Sequence, residues 1–364
     1  MEQQDGRVPG TVLPSRRLIA SYALDWVVIA CFAAIGGGIK SIGTIHRPFS
    51  LLDLSISYPL AEQSISSTTV GLVAILGPIV LMSLTIAIFV PARSISRTLK
   101  RSELLRLKLW ELHASLAGLA LSITLAFMVT QGLKTIFPKP RPHFLALCDP
   151  DLDNIAAHVV GGYGQDVSDR WTMVDVSICQ HPMHRVLRSG LQSFPSGHSS
   201  MSWSGMAYLS LFLCARLRIA IPHLPLQSTI AHRPVSSASG TELLPLHNAQ
   251  RSETSSDSKP STISSIQRQG HPQSTIPINR QSAAPPTYGI LIALIPLAVA
   301  TYISSTRYTE YWHFGIDILT GSVIGILSSW LAFRWHHLPI RRGHGWAWGP
   351  RSAEGAFGVG MGVH

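Results

Sequence analysis

Six stretches of the chain are apolar over roughly the 20 residues that a helix needs to cross a hydrocarbon core about 30 Å thick. They run at Leu18–Ile39, Val70–Val90, Leu112–Leu133, Ser199–Ile219, Tyr288–Ser304 and Gly315–Trp335. The second and sixth are apolar almost throughout. The fourth is interrupted by serines, and the fifth holds Pro296, which a membrane helix accommodates when neighbours satisfy the carbonyl it frees. The first follows Arg16 and Arg17 as a signal peptide would, but it is long and no clear small-residue cleavage site follows it, so it reads as a retained span. The pattern predicts an all-α polytopic membrane protein, six transmembrane helices in a bundle. Residues 1–17 form an N-terminal tail, 18–221 carry spans one to four, 222–286 an insertion, 287–335 spans five and six, and 336–364 a C-terminal tail.

Composition agrees with that pattern. Of 364 residues, 46% are apolar and only 13% charged, about half the charged share of a soluble domain. The formal charge of +10 does not point to nucleic acid, because the basic residues form no single face or helix and sit in short clusters beside the apolar runs. Such clusters stay on the cytoplasmic side. Arg93, Arg97, Lys100, Arg101, Arg106 and Lys108 follow span two, and Arg341 and Arg342 follow span six, so both segments and the N-terminus are expected in the cytoplasm. The loops after spans one, three and five then face the lumen or exterior. The loop after span three carries Asp149, Asp151, Asp153, Asp166, Asp169 and Asp175. It also carries Cys148 and Cys179, which in an oxidising compartment either pair or remain two thiols. The 4 cysteines make no disulfide scaffold and show no zinc-site spacing. From Pro222 to Pro286 the chain is rich in Ser, Thr, Pro, Gln and His and too poor in large apolar residues to offset its ordering entropy, so it is expected to be disordered and cytoplasmic.

Three polar clusters fall at span ends that this topology puts on one side. Lys134 to Pro142 closes span three; Phe194-Pro195-Ser196-Gly197-His198-Ser199 opens span four; Thr306-Arg307 through His313 to Asp317 links spans five and six. Lys134, Arg141 and Arg307 supply positive charge, and guanidinium groups fork onto phosphate oxygens. Ser196 and Gly197 precede a helix whose first amides favour an anion and whose glycine lets backbone approach. Asp317 stands four residues after His313, which predicts both on one side of a helix, the carboxylate fixing the imidazole tautomer while the other nitrogen attacks phosphorus. His198 is the candidate general acid for the leaving alkoxide. Each element alone has an ordinary explanation: a snorkelling cation, a capped turn, an interfacial histidine, a helix surface pair. Their joint occurrence on one side favours a phosphate site. His181 and His184 read as ordinary loop residues, and Lys139 and His143 receive no role.

These clusters resemble the signature of the type 2 phosphatidic acid phosphatases, or lipid phosphate phosphatases, whose superfamily includes vanadium haloperoxidases. Lys134 with Arg141-Pro142, Pro195-Ser196-Gly197-His198, and Arg307, His313 and Asp317 match its three parts; Thr306 stands where the family usually has Ser. The early Ser21-Tyr-Ala-Leu-Asp-Trp26 and the long insertion look most similar to fungal enzymes acting on diacylglycerol pyrophosphate and phosphatidate. The resemblance implies a helical bundle, a phosphohistidine on His313, protonation by His198, and phosphate held by Lys134, Arg141, Arg307, Ser196 and the Gly197 amide. It implies no cofactor and no metal requirement. The substrate would be a phospholipid taken from the bilayer of a vacuolar, endoplasmic reticulum or plasma membrane, with self-association left open and no nucleic-acid partner. The competing readings are a non-catalytic membrane phospholipid-binding or transport protein with the same cradle, and a membrane haloperoxidase using vanadate.

Overall fold

In a computed structural model, residues 16–42, 46–90, 100–182, 184–219, 286–340, 345–351 and 356–357 are described. Nearly all of the N-terminal tail and of the 222–286 insertion, about half of the C-terminal tail, and Arg93, Arg97, Arg341 and Arg342 lie outside the described residues. The elements belong to one compact unit, Met1–Ala220 with Pro285–His364. They are α1 (Arg16–Ser41), α2 (Ser67–Phe89, with a π-helical turn at Leu72–Leu76), α3 (Arg101–Ile136), the short α4 (Phe144–Cys148), β1 (Val159–Gly161), β2 (Met173–Val174), α5 (His184–Gly190), α6 (Gly197–Arg216), α7 (Tyr288–Thr309) and α8 (Gly315–His336).

Five of these, α1, α2, α3, α7 and α8, are long and apolar enough to cross a membrane, which makes the protein a multi-pass integral membrane protein. Their exposed residues, Leu24 and Val28 on α1, Leu84 and Ile88 on α2, Ile290 and Ile295 on α7, and Leu319 and Leu327 on α8, are those that lipid would solvate. The serine-rich α6 is different in kind. It packs against α2, α3, α7 and α8, and its Ser199, Ser200, Ser202 and Ser204 are all buried. A helix shielded by protein on every side can carry hydroxyls that a lipid-facing helix cannot. Ser200 Oγ accepts from Thr130 Oγ1 at 2.9 Å, and Ser122 Oγ donates to the Ser204 carbonyl at 3.0 Å.

Small residues let the helices approach. A Cβ on Gly321 of α8 would lie 2.5 Å from the Ser196 carbonyl oxygen, and one on Gly325 would lie 2.6 Å from that of Ser200. Without a hydrophobic drive between helices in lipid, such close backbone packing is a main source of association. Pro296 sits inside α7 and is buried, and Ser210 Oγ donates to the neighbouring Ala293 carbonyl at 2.7 Å, supporting the turn that the proline weakens. At the end of α6 remote from Ser196, Glu111 and Arg216 form a buried ion pair at 3.3 Å, and Ala347 N donates to Glu111 at 3.1 Å.

α3 begins eleven residues before the expected Leu112, at Arg101, because Glu103 caps the Lys100 amide and the basic stretch that follows is rich in helix-forming Leu, Arg and Lys. Above the bundle, Phe49, Phe144, Leu147, Val174 and Ile178 make a second small core, and Cys148 is joined to Cys179 by a disulfide. β1 and β2 pair antiparallel, and Phe49 bridges to Val174, so the segment after α1 is stitched to the long loop after α3.

Candidate active site

The three clusters meet because backbone strands tie them together. The chain after α3 runs beside the chain before α6: Lys139 N donates to Leu191 O at 3.0 Å, Arg141 N to Gly190 O at 2.8 Å, and Ser193 N to Lys139 O at 2.9 Å. Lys134 Nζ, buried at the end of α3, donates to Gln192 O at 2.6 Å. The third cluster joins through Ser196 N, which donates to Asp317 O at 2.9 Å. His143, buried beside Arg141, meets the Tyr311 carbonyl at 2.8 Å through Nδ1, and its ring stands edge-on to Trp312.

Ser196 is the N-cap of α6: its hydroxyl accepts from the Ser199 amide at 3.4 Å, leaving Gly197 and His198 as the first two residues of the helix. A Cβ on Gly197 would come within 3.9 Å of Lys134 Cε, so the glycine faces the lysine stem across the site. The charges of Lys134, Arg141 and Arg307 all act on the His198 ring. Arg307 is fully buried; its Nη2 donates to Glu310 Oε2 at 2.7 Å and to Thr306 Oγ1 at 3.2 Å. The hydroxyl at 306 is therefore in use, and threonine supplies it as serine would.

His313 and Asp317 do not share a helix as expected. α7 ends at Thr309, Tyr311 takes a left-handed φ of 59°, and the amides of Trp312 and His313 both turn back to the Arg307 carbonyl. A tyrosine held in that conformation is strained backbone, of the kind that clusters at functional sites. His313 thus precedes α8, while Asp317 lies in its first turn and accepts from Phe314 N at 3.1 Å. The His313 Nδ1 to Asp317 Oδ2 distance is 3.9 Å, an ion-pair contact longer than a hydrogen bond. Ser193 fills the gap, donating its hydroxyl to Asp317 Oδ2 at 2.5 Å and standing 3.5 Å from His313 Nδ1. His313 is 3% exposed. Burial pushes its imidazole well below the ordinary range, and the charges of Arg141 and Lys134 add to this against the pull of Asp317, so it is neutral at pH 7 with a lone pair to offer. Arg141 is lowered to about 10 by burial and the Arg307 charge, and remains protonated at pH 7.

All eight residues picked from sequence lie in this one region. Four others were missed. Lys139, given no role, places Nζ 3.6 Å from Asp317 Oδ1 and 3.8 Å from the centre of the Phe314 ring. Trp312 lies 4.9 Å under the Arg141 guanidinium. Glu310 holds Arg307, and Ser193 holds Asp317. Lys139 and Glu310 lie within the spans of the clusters, which was the available hint; nothing in the sequence marks Ser193.

The site also contains buried atoms that need partners. Arg141 Nε, Arg307 Nη1 and His198 Nε2 have none among the described residues. Leaving a buried donor unmade costs about 1–3 kcal/mol, so the two guanidinium donors call for an acceptor-rich ligand. A tetrahedral oxyanion fits that demand.

No solved structure matches the chain. Among curated proteins it is 21% identical over 335 residues to "Lipid phosphate phosphatase 1" of Arabidopsis thaliana, covering 92% of this chain and 73% of that one. It is 24% identical over 290 residues to "Probable diacylglycerol pyrophosphate phosphatase 1" of Schizosaccharomyces pombe, covering 79% and 71%. To "Diacylglycerol pyrophosphate phosphatase 1" of Saccharomyces cerevisiae it is 30% identical over 195 residues, covering 53% and 58%. Residues 115–341, which hold all three clusters and most of the helical bundle, match the PAP2 superfamily, and the chain belongs to it.

Proposed function

We propose that the protein is a lipid phosphate phosphatase that hydrolyses phosphatidate, diacylglycerol pyrophosphate or both, without a metal ion. The observation that carries this reading is the set of buried atoms without partners among the described residues, the donors Arg141 Nε and Arg307 Nη1 together with His198 Nε2, gathered beside a neutral, carboxylate-flanked His313. In this reading the phosphoryl oxygens lie among Lys134, Arg141, Arg307, the Ser196 hydroxyl and the Gly197 amide, whose charges offset the charge that builds on the oxygens in the transition state. His313 attacks phosphorus and forms a phosphohistidine; Asp317 stabilises the imidazolium; His198 protonates the leaving oxygen and then takes a proton from the water that releases phosphate. The names of the relatives support the lipid substrates.

The reading places α6 as a sixth span, between the two halves of the bundle, and puts the cradle at the non-cytoplasmic helix ends. Support comes from the basic residues at the start of α3, which belong on the cytoplasmic side, and from the Cys148–Cys179 disulfide near the site, which belongs to an oxidising compartment. Vacuolar, endoplasmic reticulum and plasma membranes all meet that requirement.

The test is phosphate release from phosphatidate and from diacylglycerol pyrophosphate by detergent-solubilised protein with excess chelator, beside His198→Ala. Release that survives chelation and is lost in the variant supports the reading. Full activity in a folded His198→Ala variant overturns the acid assignment, and activity lost to chelator overturns the metal-free chemistry.

A further inference from the structure

Next to the cradle lies an open cleft of about 900 Å³ to which none of the eight cradle and catalytic residues contributes a wall. Its walls come from the segment after α1, with Arg47 and Asp53; from the chain leaving α3, with Phe137 and Lys139; and from Phe194 and Phe314, each one or two residues from a catalytic or phosphate-holding residue. The cleft is far larger than one phosphate and lies within the range of pockets that take whole ligands. Its surface is mainly aromatic and aliphatic, yet it holds two cations. Asp53, whose carboxylate accepts from the Ser55 amide at 2.9 Å, offsets one of them, leaving the lining one net positive charge.

Lys139 joins the two spaces. Its ammonium lies 3.6 Å from Asp317 Oδ1 on one side and over the Phe314 ring, which is a cleft wall, on the other. An anionic group sitting in the cleft would therefore lie next to the cradle, between Lys139 and Arg47, with apolar surface around it. That is the environment of a substrate whose charge continues past the phosphate being cleaved and then gives way to an apolar body.

Resting on the phosphatase reading above, we propose that this cleft is a second phosphate subsite, and that Arg47 is the residue through which the enzyme prefers a lipid diphosphate to a lipid monophosphate. With the terminal phosphate in the cradle, a diphosphate presents two further charged oxygens to the cleft, which a guanidinium can fork onto. A monoester presents only its bridging oxygen and a neutral glycerol, which give Arg47 nothing to hold. Lys139 contributes to both substrates because it also touches Asp317; Arg47, exposed and a wall of the cleft, contributes to one.

The experiment measures kcat/KM for phosphate release from diacylglycerol pyrophosphate and from phosphatidate with the same acyl chains in mixed micelles, using the full chain and its Arg47→Gln, Arg47→Glu and Arg47→Lys variants. The diphosphate-to-monophosphate ratio is expected to fall roughly tenfold in Arg47→Gln, further in Arg47→Glu, and to recover to within roughly threefold of the parent in Arg47→Lys. A variant that is only less well folded slows both lipids alike and leaves the ratio unchanged, and a ratio within about twofold of the parent in all three overturns the subsite. Parent protein inert on both lipids overturns the phosphatase reading itself, and the subsite falls with it.

Discussion

Ser193 donates its hydroxyl to Asp317 at 2.5 Å and lies 3.5 Å from the ring nitrogen of His313, nearer to both than they are to each other at 3.9 Å. The serine thus anchors the carboxylate that, in the proposed mechanism, orients His313. Ser193→Ala should lower kcat roughly ten- to hundredfold while KM stays within about twofold, the loss of about 1–3 kcal/mol expected when a buried carboxylate loses a donor. Steady-state kinetics on folded variant protein checks this, and a kcat near the parent value would mean that the Phe314 amide and Lys139 position Asp317 unaided.

Glu310 anchors the other side of the cradle. One oxygen accepts from Arg307 at 2.7 Å and the other from the Ser64 amide at 3.1 Å, so the carboxylate couples Arg307, proposed to hold phosphate, to the segment before α2. Glu310→Ala frees a guanidinium whose remaining side-chain partner among the described residues is Thr306. We expect kcat/KM to fall at least roughly tenfold, with much of the loss in KM, and Ser64→Ala to fall less. Equal kcat/KM in Glu310→Ala and parent protein would show that Arg307 is held by packing.

How much of this was legible in the chain follows from how each feature is encoded. That Lys134, Arg141, Ser196, Gly197, His198, Arg307, His313 and Asp317 gather in one region was readable because they fall in three short polar segments, each at the end of an apolar run. Ser193 was not, since its role depends on a loop meeting a residue 124 positions later. The helical relation predicted for His313 and Asp317 failed because spacing alone does not reveal that Tyr311 reverses the chain and delays α8 until Gly315. Apolar patterning found the five lipid-facing helices, and it placed α6 despite its serines, whose partners lie on other helices and leave no local trace. The early start of α3 was missed because charged helix formers look like loop residues when only hydropathy is scanned.

Three histidines outside the helices should make the protein sensitive to acid. His143, His313 and His337 are all held below the ordinary value of 6.5, chiefly by burial, so the folded state resists the protons that the unfolded chain accepts. Stability is therefore intact above about pH 6.5 and falls as pH drops below it, by at most about 1.4 kcal/mol per pH unit for each imidazole. Thermal unfolding of detergent-solubilised protein at pH 7.5, 6.5 and 5.5 should show this decline, and His143→Gln should flatten it. An unchanged slope in His143→Gln would remove that residue from the account.

The contact of α8 with the start of α6 leaves no room for a methyl group. Gly321→Ala would press a Cβ to 2.5 Å from the Ser196 carbonyl oxygen, which is backbone and cannot swing away. A cost of about 1–3 kcal/mol and a loss of activity are expected together, because the atom displaced belongs to the Ser196 cap of α6, in the proposed phosphate site. Gly38→Ala in α1, where an added Cβ meets nothing within 4 Å, should be neutral or slightly stabilising. Melting temperature and phosphate release for the pair separate the two cases, and identical behaviour would contradict the packing described here.

In the proposed mechanism His313 carries the phosphoryl group between substrate and water. Protein mixed briefly with lipid labelled in its terminal phosphate and quenched in base should retain protein-bound label that is stable to alkali and released by acid, as a phosphohistidine is, and mass spectrometry of the peptide should place it on His313. His313→Ala should retain none. Acid-stable label, or undiminished label in a folded His313→Ala variant, would contradict the account.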